Sequence, residues 1–179
     1  MSPKSYLSRY WTNPRIEIRA SPIEGNGLFA REPLKEGEIV EVMGGAVLAQ
    51  AEFDAFSRTT IRYNAIQIAE GLHLVEHPEV TQTRQGSLNH SCEPNLWMTD
   101  EVTFVARRDI SAREELAVDY ALFTAQPGWA VDCHCGSPLC RQRVTGNDWN
   151  MAGLRERYRS RFSPFINDRI ESAGSSAEF

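Results

Sequence analysis

Four cysteines constrain this chain more than any other feature. Cys133, Cys135 and Cys140 form a C-x-C-x4-C cluster in which Gly136, Ser137 and Pro138 bend the chain, and the remaining cysteine, Cys92, stands far upstream. A loop of this kind can wrap three thiolates around one ion. Tetrahedral structural zinc takes four ligands, and Cys92 is the one cysteine left to supply the fourth. Such a site ties the last third of the chain to the loop around Cys92, and metal binding then contributes folding energy to a segment too short for a core of its own. The alternative is four reduced cysteines packed as small hydrophobes. His134 lies between two better thiolate donors and does not belong to the set.

The rest of the composition sets bounds. A length of 179 residues suits one domain, and 41% hydrophobic with 24% charged residues is the balance of a soluble globular chain. No run approaches the roughly 18 apolar residues of a membrane span, and Met1 to Tyr10 lacks the apolar run of a signal peptide. The expectation is an intracellular protein, cytoplasmic or, in a eukaryote, nuclear, where cysteines stay reduced and metal ligation is their leading use. A net charge of -5 speaks against a broad nucleic-acid-binding face and suits a basic protein partner. Neither nucleic acid nor membrane is expected as a partner.

Along the chain, short β-rich runs alternate with turns. Residues 1–14 read as an arm, ordered if Tyr10 and Trp11 dock. Ile16 to Arg19 alternates apolar and polar, and the turn Glu24 to Gly27 leads into Leu28 to Ala30 as a hairpin. Ile39 to Met43 is the next strand, ended by Gly44-Gly45; Ala49, Phe53 and Phe56 suit a short helix. Tyr63 to Ile68, Leu72 to Val75, Val102 to Ala106 and Leu116 to Tyr120 complete the strands. After Cys140 the pattern turns helical, with Asp148 as a cap, Leu154, Tyr158 and Phe162 at four-residue steps, and Pro164 as an interruption. Ser172 to Phe179 is small and polar and is expected to fray.

Three further segments carry chemistry. In Gly25-Asn26-Gly27, paired glycines let backbone approach a ligand, although a plain hairpin turn has the same composition. Leu88-Asn89-His90-Ser91-Cys92-Glu93-Pro94-Asn95 crowds donors and acceptors into a loop holding a candidate zinc ligand; alone it could be an Asx-type turn. Glu114 to Tyr120 is a strand ending in a tyrosine, which alone would be a core ring.

Taken together and in this order, these segments and the cysteine cluster resemble the SET-domain protein lysine methyltransferases from about Ile16 to Arg141. The cysteine loop resembles that family's post-SET zinc module, in which the cysteine of the Asn-His-Ser-Cys loop is the fourth ligand. The resemblance implies a mostly β fold of the β-clip/SET type, with several small sheets, short helices, a knot-like C-terminal segment and a helical extension. It divides the chain into the arm (1–14), a SET domain (15–125), a post-SET segment (126–145) and the extension (146–179). It implies that Gly25, Asn26, Gly27, Asn89 and His90 contact S-adenosylmethionine, that Tyr120 is catalytic, and that Tyr63 and Val118 line a channel for the substrate lysine. The implied activity is methyl transfer from S-adenosylmethionine to a lysine amine of a protein, histone or another basic protein.

Two positions depart from the pattern. Val118 replaces a frequent aromatic, which widens the pocket toward more than one methyl group, and Arg113 occupies a turn position where relatives usually have glycine. No cysteine precedes Cys92, so the cysteine-rich segment that precedes the domain in many histone-directed relatives is missing. Two rival readings remain: a catalytically silent SET fold that binds a peptide, and a zinc-stabilised structural module. Cofactor binding and turnover separate them.

Overall fold

A computed structural model describes residues 4–61, 63–79 and 88–175. Its strands form small sheets around one core. In the first, β1 (Trp11–Thr12), β4 (Ile39–Val42), β10 (Thr103–Ala106) and β9 (Leu96–Met98) pair antiparallel in that order. In the second, the order is β2 (Ile16–Ala20), β3 (Asn26–Ala30), β11 (Glu115–Val118) and β8 (Asn89–His90). A third joins β5 (Ala46–Ala49), β7 (Leu72–Val75) and β6 (Ala65–Ala69), and β12 (Ala130–Asp132) pairs with β13 (Arg143–Thr145). Leu28, Val40, Leu74, Leu96, Phe104 and Leu116, drawn from these first three sheets, share a single buried cluster. A mostly β fold of several small sheets therefore stands as the sequence predicts.

The hairpin β2–β3 follows from the alternation of its residues, with Gly25 at φ 51° in the turn. Helix α1 (Gln50–Thr59) buries Phe53, and the Glu52 carboxylate accepts the Ala49 N–H at 2.8 Å, closing its first turn. After β4 the arm returns: Gly44 bridges to Leu7, and a side chain at Gly44 or Gly45 would strike the backbone of Arg9 or Val75. Tyr6 and Tyr10 dock on the core, whereas Trp11 joins β1 and stays 42% exposed. Arg113 adopts φ 71°, a left-handed conformation costly for a side chain, and its N–H meets Ala30 O. A glycine at this turn would be free of that strain.

Where the cysteine loop approaches the sheets, local pattern no longer decides. β8 runs parallel to β11, with Ala117 opposite Asn89 and Val118 opposite His90. Asn95 fastens the loop to the same strand: its Nδ2 donates to Glu115 O at 2.7 Å and its Oδ1 accepts the Ala117 N–H at 2.9 Å. β11 ends at Val118, not at Tyr120; the Asp119 carboxylate caps a 3-10 turn over Tyr120–Leu122.

The C-terminal expectation needs two corrections. Asp148 lies in a 3-10 turn and caps no helix; it is buried, accepting from Thr145 Oγ1 at 2.6 Å, and Met151 is the N-cap of α2 (Ala152–Tyr158). Burial beside Arg141 outcompetes a capping role. Pro164 begins helix α3 (Pro164–Ser175), as the first turn needs no N–H from that position. Ser172 to Ser175 belong to that helix, and residues 176–179 lie outside the described residues. Leu154, Tyr158 and Phe162 are buried as their spacing requires.

Candidate active site and metal centre

The Sγ atoms of Cys92, Cys133, Cys135 and Cys140 all lie within 4.8 Å of one another. Thiolates about 2.3 Å from a tetrahedral zinc stand roughly 3.8 Å apart, and Cys92 and Cys133 are separated by 3.9 Å. The donor set thus fits one zinc ion. Hairpin β12–β13 supplies the frame, since Cys133 follows β12 directly and its N–H meets Gln142 O at 2.7 Å, just before β13. Sulfur acceptors are already matched with donors: Arg141 N–H reaches Cys92 Sγ at 3.3 Å and Gln142 N–H reaches Cys140 Sγ at 3.4 Å. Burial pushes the Cys92 and Cys133 thiols up, so without a cation a buried thiolate here is disfavoured. His134 faces away, 64% exposed beside Glu24.

Beside this cluster opens a cleft of about 910 Å³. Glu24, Gly25, Asn26, Asn89, Trp129 and Val131 line it, as do Met43, Tyr63, Phe104, Val118, Tyr120 and Phe123. A volume of this order suits a cofactor-sized ligand. Tyr63, which the sequence places in a substrate channel, reaches the cleft while packed edge-on against Phe53 at 5.7 Å. Gly27 and His90 sit behind the wall: a Cβ at Gly27 would collide with the Glu115 carboxylate and crowd Asn89 Nδ2. Asn89 Nδ2 itself lies near Ser21 Oγ (2.9 Å), Glu24 O (3.1 Å) and Glu115 Oε1 (2.9 Å), which draws the Gly25 turn against β8.

Tyr120 occupies the junction between cleft and cysteine cluster. Its O–H donates to Leu88 O at 2.9 Å and its ring packs near His90, Phe123 and Trp129. Burial pushes the phenol up to about 12, so it is neutral. Its backbone N–H donates to His90 Nδ1 at 3.2 Å. Burial lowers His90 to about 4 against the opposing pull of Asp119. A neutral ring that accepts at Nδ1 carries its proton on Nε2, which faces Cys92 Sγ at 3.3 Å.

Behind Tyr120 lies a set of residues that sequence reasoning missed. Asp119 is fully buried, and Arg141 grips it with Nη1–Oδ2 at 2.6 Å and Nη2–Oδ1 at 2.7 Å. Tyr158 donates to the same carboxylate at 2.8 Å. Arg141 Nε also stands 2.9 Å from Asp148 Oδ2, close enough for an ion pair but misaligned for a hydrogen bond. The only signal in the sequence was the position of Arg141 directly after Cys140.

Burial would raise the Asp119 carboxyl, but the Arg141 hydrogen bonds and charge outweigh it and hold the group below its ordinary 3.8. Ionised Asp119 therefore contributes stability that is fully present above the unfolded value and is lost as pH falls through the lowered folded value. Relative to Asp119→Asn, the wild type is expected to be more stable by about 3 kcal/mol near neutrality, because the variant leaves the buried Arg141 with only the misaligned Asp148 carboxylate as counter-charge. That gap should shrink below about pH 4. Urea midpoints of both proteins from pH 7 to pH 3 check this; a gap that persists undiminished to pH 3 would contradict it.

The family model "SET domain" matches residues 25–121, more than half of the chain. The chain belongs to the SET domain family. It is 31% identical over 162 residues to histone-lysine N-methyltransferase ATX2 of Arabidopsis thaliana, covering 83% of this chain and 14% of that protein. It is 30% identical over 152 residues to a putative histone-lysine N-methyltransferase of Plasmodium falciparum, covering 78% of this chain and 2% of that one. The chain thus spans a small part of these curated relatives. Among solved structures, the methyltransferase domain of human histone-lysine N-methyltransferase SETMAR shares the fold, with a TM-score of 0.55 at 23% identity over 71% of this chain and 56% of that one. Among the described residues, no helix is long and apolar enough to cross a membrane.

Proposed function

We propose that this SET domain transfers methyl groups from S-adenosylmethionine to the side-chain amine of lysine in a protein substrate, a histone or another basic protein. The observation that carries this reading is the Tyr120 phenol, held by Leu88 O on the wall of a cleft whose other residues include Gly25, Asn26 and Asn89. The names of the relatives and the acidic net charge of -5 agree with a basic protein substrate. Zinc at the four cysteines is structural: with four protein ligands it has no open position for chemistry.

S-adenosylmethionine, when bound, supplies an electrophilic methyl group on a cationic sulfur. Glu24, Gly25, Asn26 and Asn89, which line the cleft, would hold its amino-acid part, and Trp129 offers an aromatic face. Met43, Phe104, Val118 and Phe123 also line the cleft, and a lysine chain lying against these apolar groups would be disfavoured in its ammonium form. A free lysine, with pKa about 10.4, is otherwise protonated at neutral pH. Because the Tyr120 hydroxyl donates to Leu88 O, its oxygen lone pairs remain to accept an N–H of the amine and turn the nitrogen lone pair toward the methyl group.

Radiolabelled methyl transfer into histones and a lysate of basic proteins tests the proposal. Label on lysine supports it; cofactor binding without label on any substrate would instead indicate a silent binding fold. Val118 leaves space in the channel, so di- or trimethyl-lysine is expected in product mass spectra. Products limited to a single added methyl group would refute the wide channel.

A further inference from the structure

Helix α2 lies beyond the segment that matches the family, yet it reaches the residue next to Tyr120. Tyr158, at its last turn, donates through its hydroxyl to Asp119 Oδ2 at 2.8 Å, while Arg157 donates to Cys92 O at 2.9 Å. One helical turn therefore holds both members of the parallel pair: Asp119, just past the end of β11, and Cys92, just past the end of β8. Between them, Tyr120 makes its own two contacts, amide to His90 Nδ1 and hydroxyl to Leu88 O.

The Asp119 carboxylate has to keep one orientation. Its Oδ1 accepts the Ala121 N–H at 3.0 Å, the bond that turns the chain from strand into the 3-10 turn and sets the direction in which Tyr120 leaves the sheet. Torsion about a bond between a tetrahedral and a planar carbon is broad, so a carboxylate is not oriented by its own rotamer. Arg141 on both oxygens and Tyr158 on one define that plane. Tyr158 is 1% exposed, and its ring stands edge-on to Phe162 at 5.7 Å, so the ring has a packing role that is separable from the hydroxyl.

We propose that Tyr158 is a positioning residue for Tyr120: its hydroxyl locks the Asp119 carboxylate, and the C-terminal extension is thereby a working part of the active site as well as a cover for the core. The rate consequence rests on the methyltransferase reading above; the coupling between Tyr158 and the Tyr120 turn does not. Tyr158→Phe keeps the ring and leaves Arg141 on Asp119, so the fold and the zinc site should survive.

The test uses the full zinc-loaded chain. In Tyr158→Phe, hydrogen exchange at the Tyr120 and Ala121 amides is expected to accelerate about 10-fold while amides of the β5–β7–β6 sheet are unchanged. Zinc content should match wild type, and kcat should fall about 10-fold with both KM values within about twofold, the signature of lost positioning rather than lost binding. Phe165→Leu, a core change in α3 away from Asp119, serves as the stability control and should lower the thermal midpoint without changing kcat per folded molecule. Unchanged exchange at Tyr120 and Ala121 would overturn the proposal, as would a kcat loss that Phe165→Leu reproduces at equal stability. If the wild-type chain methylates no substrate, the methyltransferase reading fails, and the exchange measurement still decides the coupling.

Discussion

Tyr120→Phe is expected to lower methyl transfer by about 100-fold or more while the affinity for S-adenosylmethionine stays within about twofold. The phenol oxygen is the only part removed. Its hydrogen is committed to Leu88 O, so the oxygen is presented as an acceptor at a fixed place in the cleft. Losing it frees the amine to turn its lone pair away from the methyl group, which affects the transition state and leaves the cofactor contacts intact. The ring would still pack against His90, Phe123 and Trp129, so the fold should be unaffected. Single-turnover rates beside a cofactor titration distinguish the two effects. Near-normal turnover would remove Tyr120 from the chemistry.

Removing zinc should have an effect as large, by a different route. Structural zinc in small cysteine sites contributes on the order of 10 kcal/mol or more to folding. Among the described residues, hairpin β12–β13 joins no other sheet, and the apolar cluster around it centres on Cys92, Cys133 and Val144. Chelation, or Cys140→Ser, should therefore release the segment that carries Trp129 and Val131 into the cleft and slacken the loop of Asn89 to Cys92. Activity should fall below detection, cofactor binding should weaken together with it, and zinc returned to the chelated wild type should restore both. Metal analysis, cofactor titration and activity on the same sample provide the check. Full activity in protein shown to be free of metal would mean that the four cysteines hold the cleft without an ion.

Tyr120→Phe and zinc loss differ in what they spare. The first leaves binding and removes chemistry; the second removes both. A loss of activity with intact binding after chelation would place the metal's influence on the Tyr120 turn, which Cys92 reaches through His90.

Much of the fold was legible because it is written in local pattern. Alternation placed β2 from Ile16, β-rich composition placed β7 at Leu72–Val75, and the Glu24 to Gly27 turn placed the first hairpin. Strands of two or three residues were not legible, since Asn89–His90 or Leu96–Met98 is too short to show a period. Asp148 misled for a related reason: an aspartate before a helical stretch has the composition of a cap, and its burial beside Arg141 is invisible without the fold. Tyr120 was expected at the end of a strand because Leu116 to Tyr120 is a β-rich run, whereas the Asp119 side chain competes for the backbone and starts a turn one residue earlier.

By itself the sequence determined which residue types are available for chemistry and how the nearby ones are spaced: three cysteines in one short loop, paired glycines in a turn, a tyrosine after an apolar strand. Only the tertiary structure decided which distant groups meet. Cys92 joins the other thiols, and Asp119, Arg141 and Tyr158 share one buried carboxylate, because β8 lies parallel beside β11 and the chain after Cys140 folds back across them. Parallel pairing joins segments through a long crossover, and a buried ion pair leaves no periodic trace in the chain, so neither has a local signature from which it could be read.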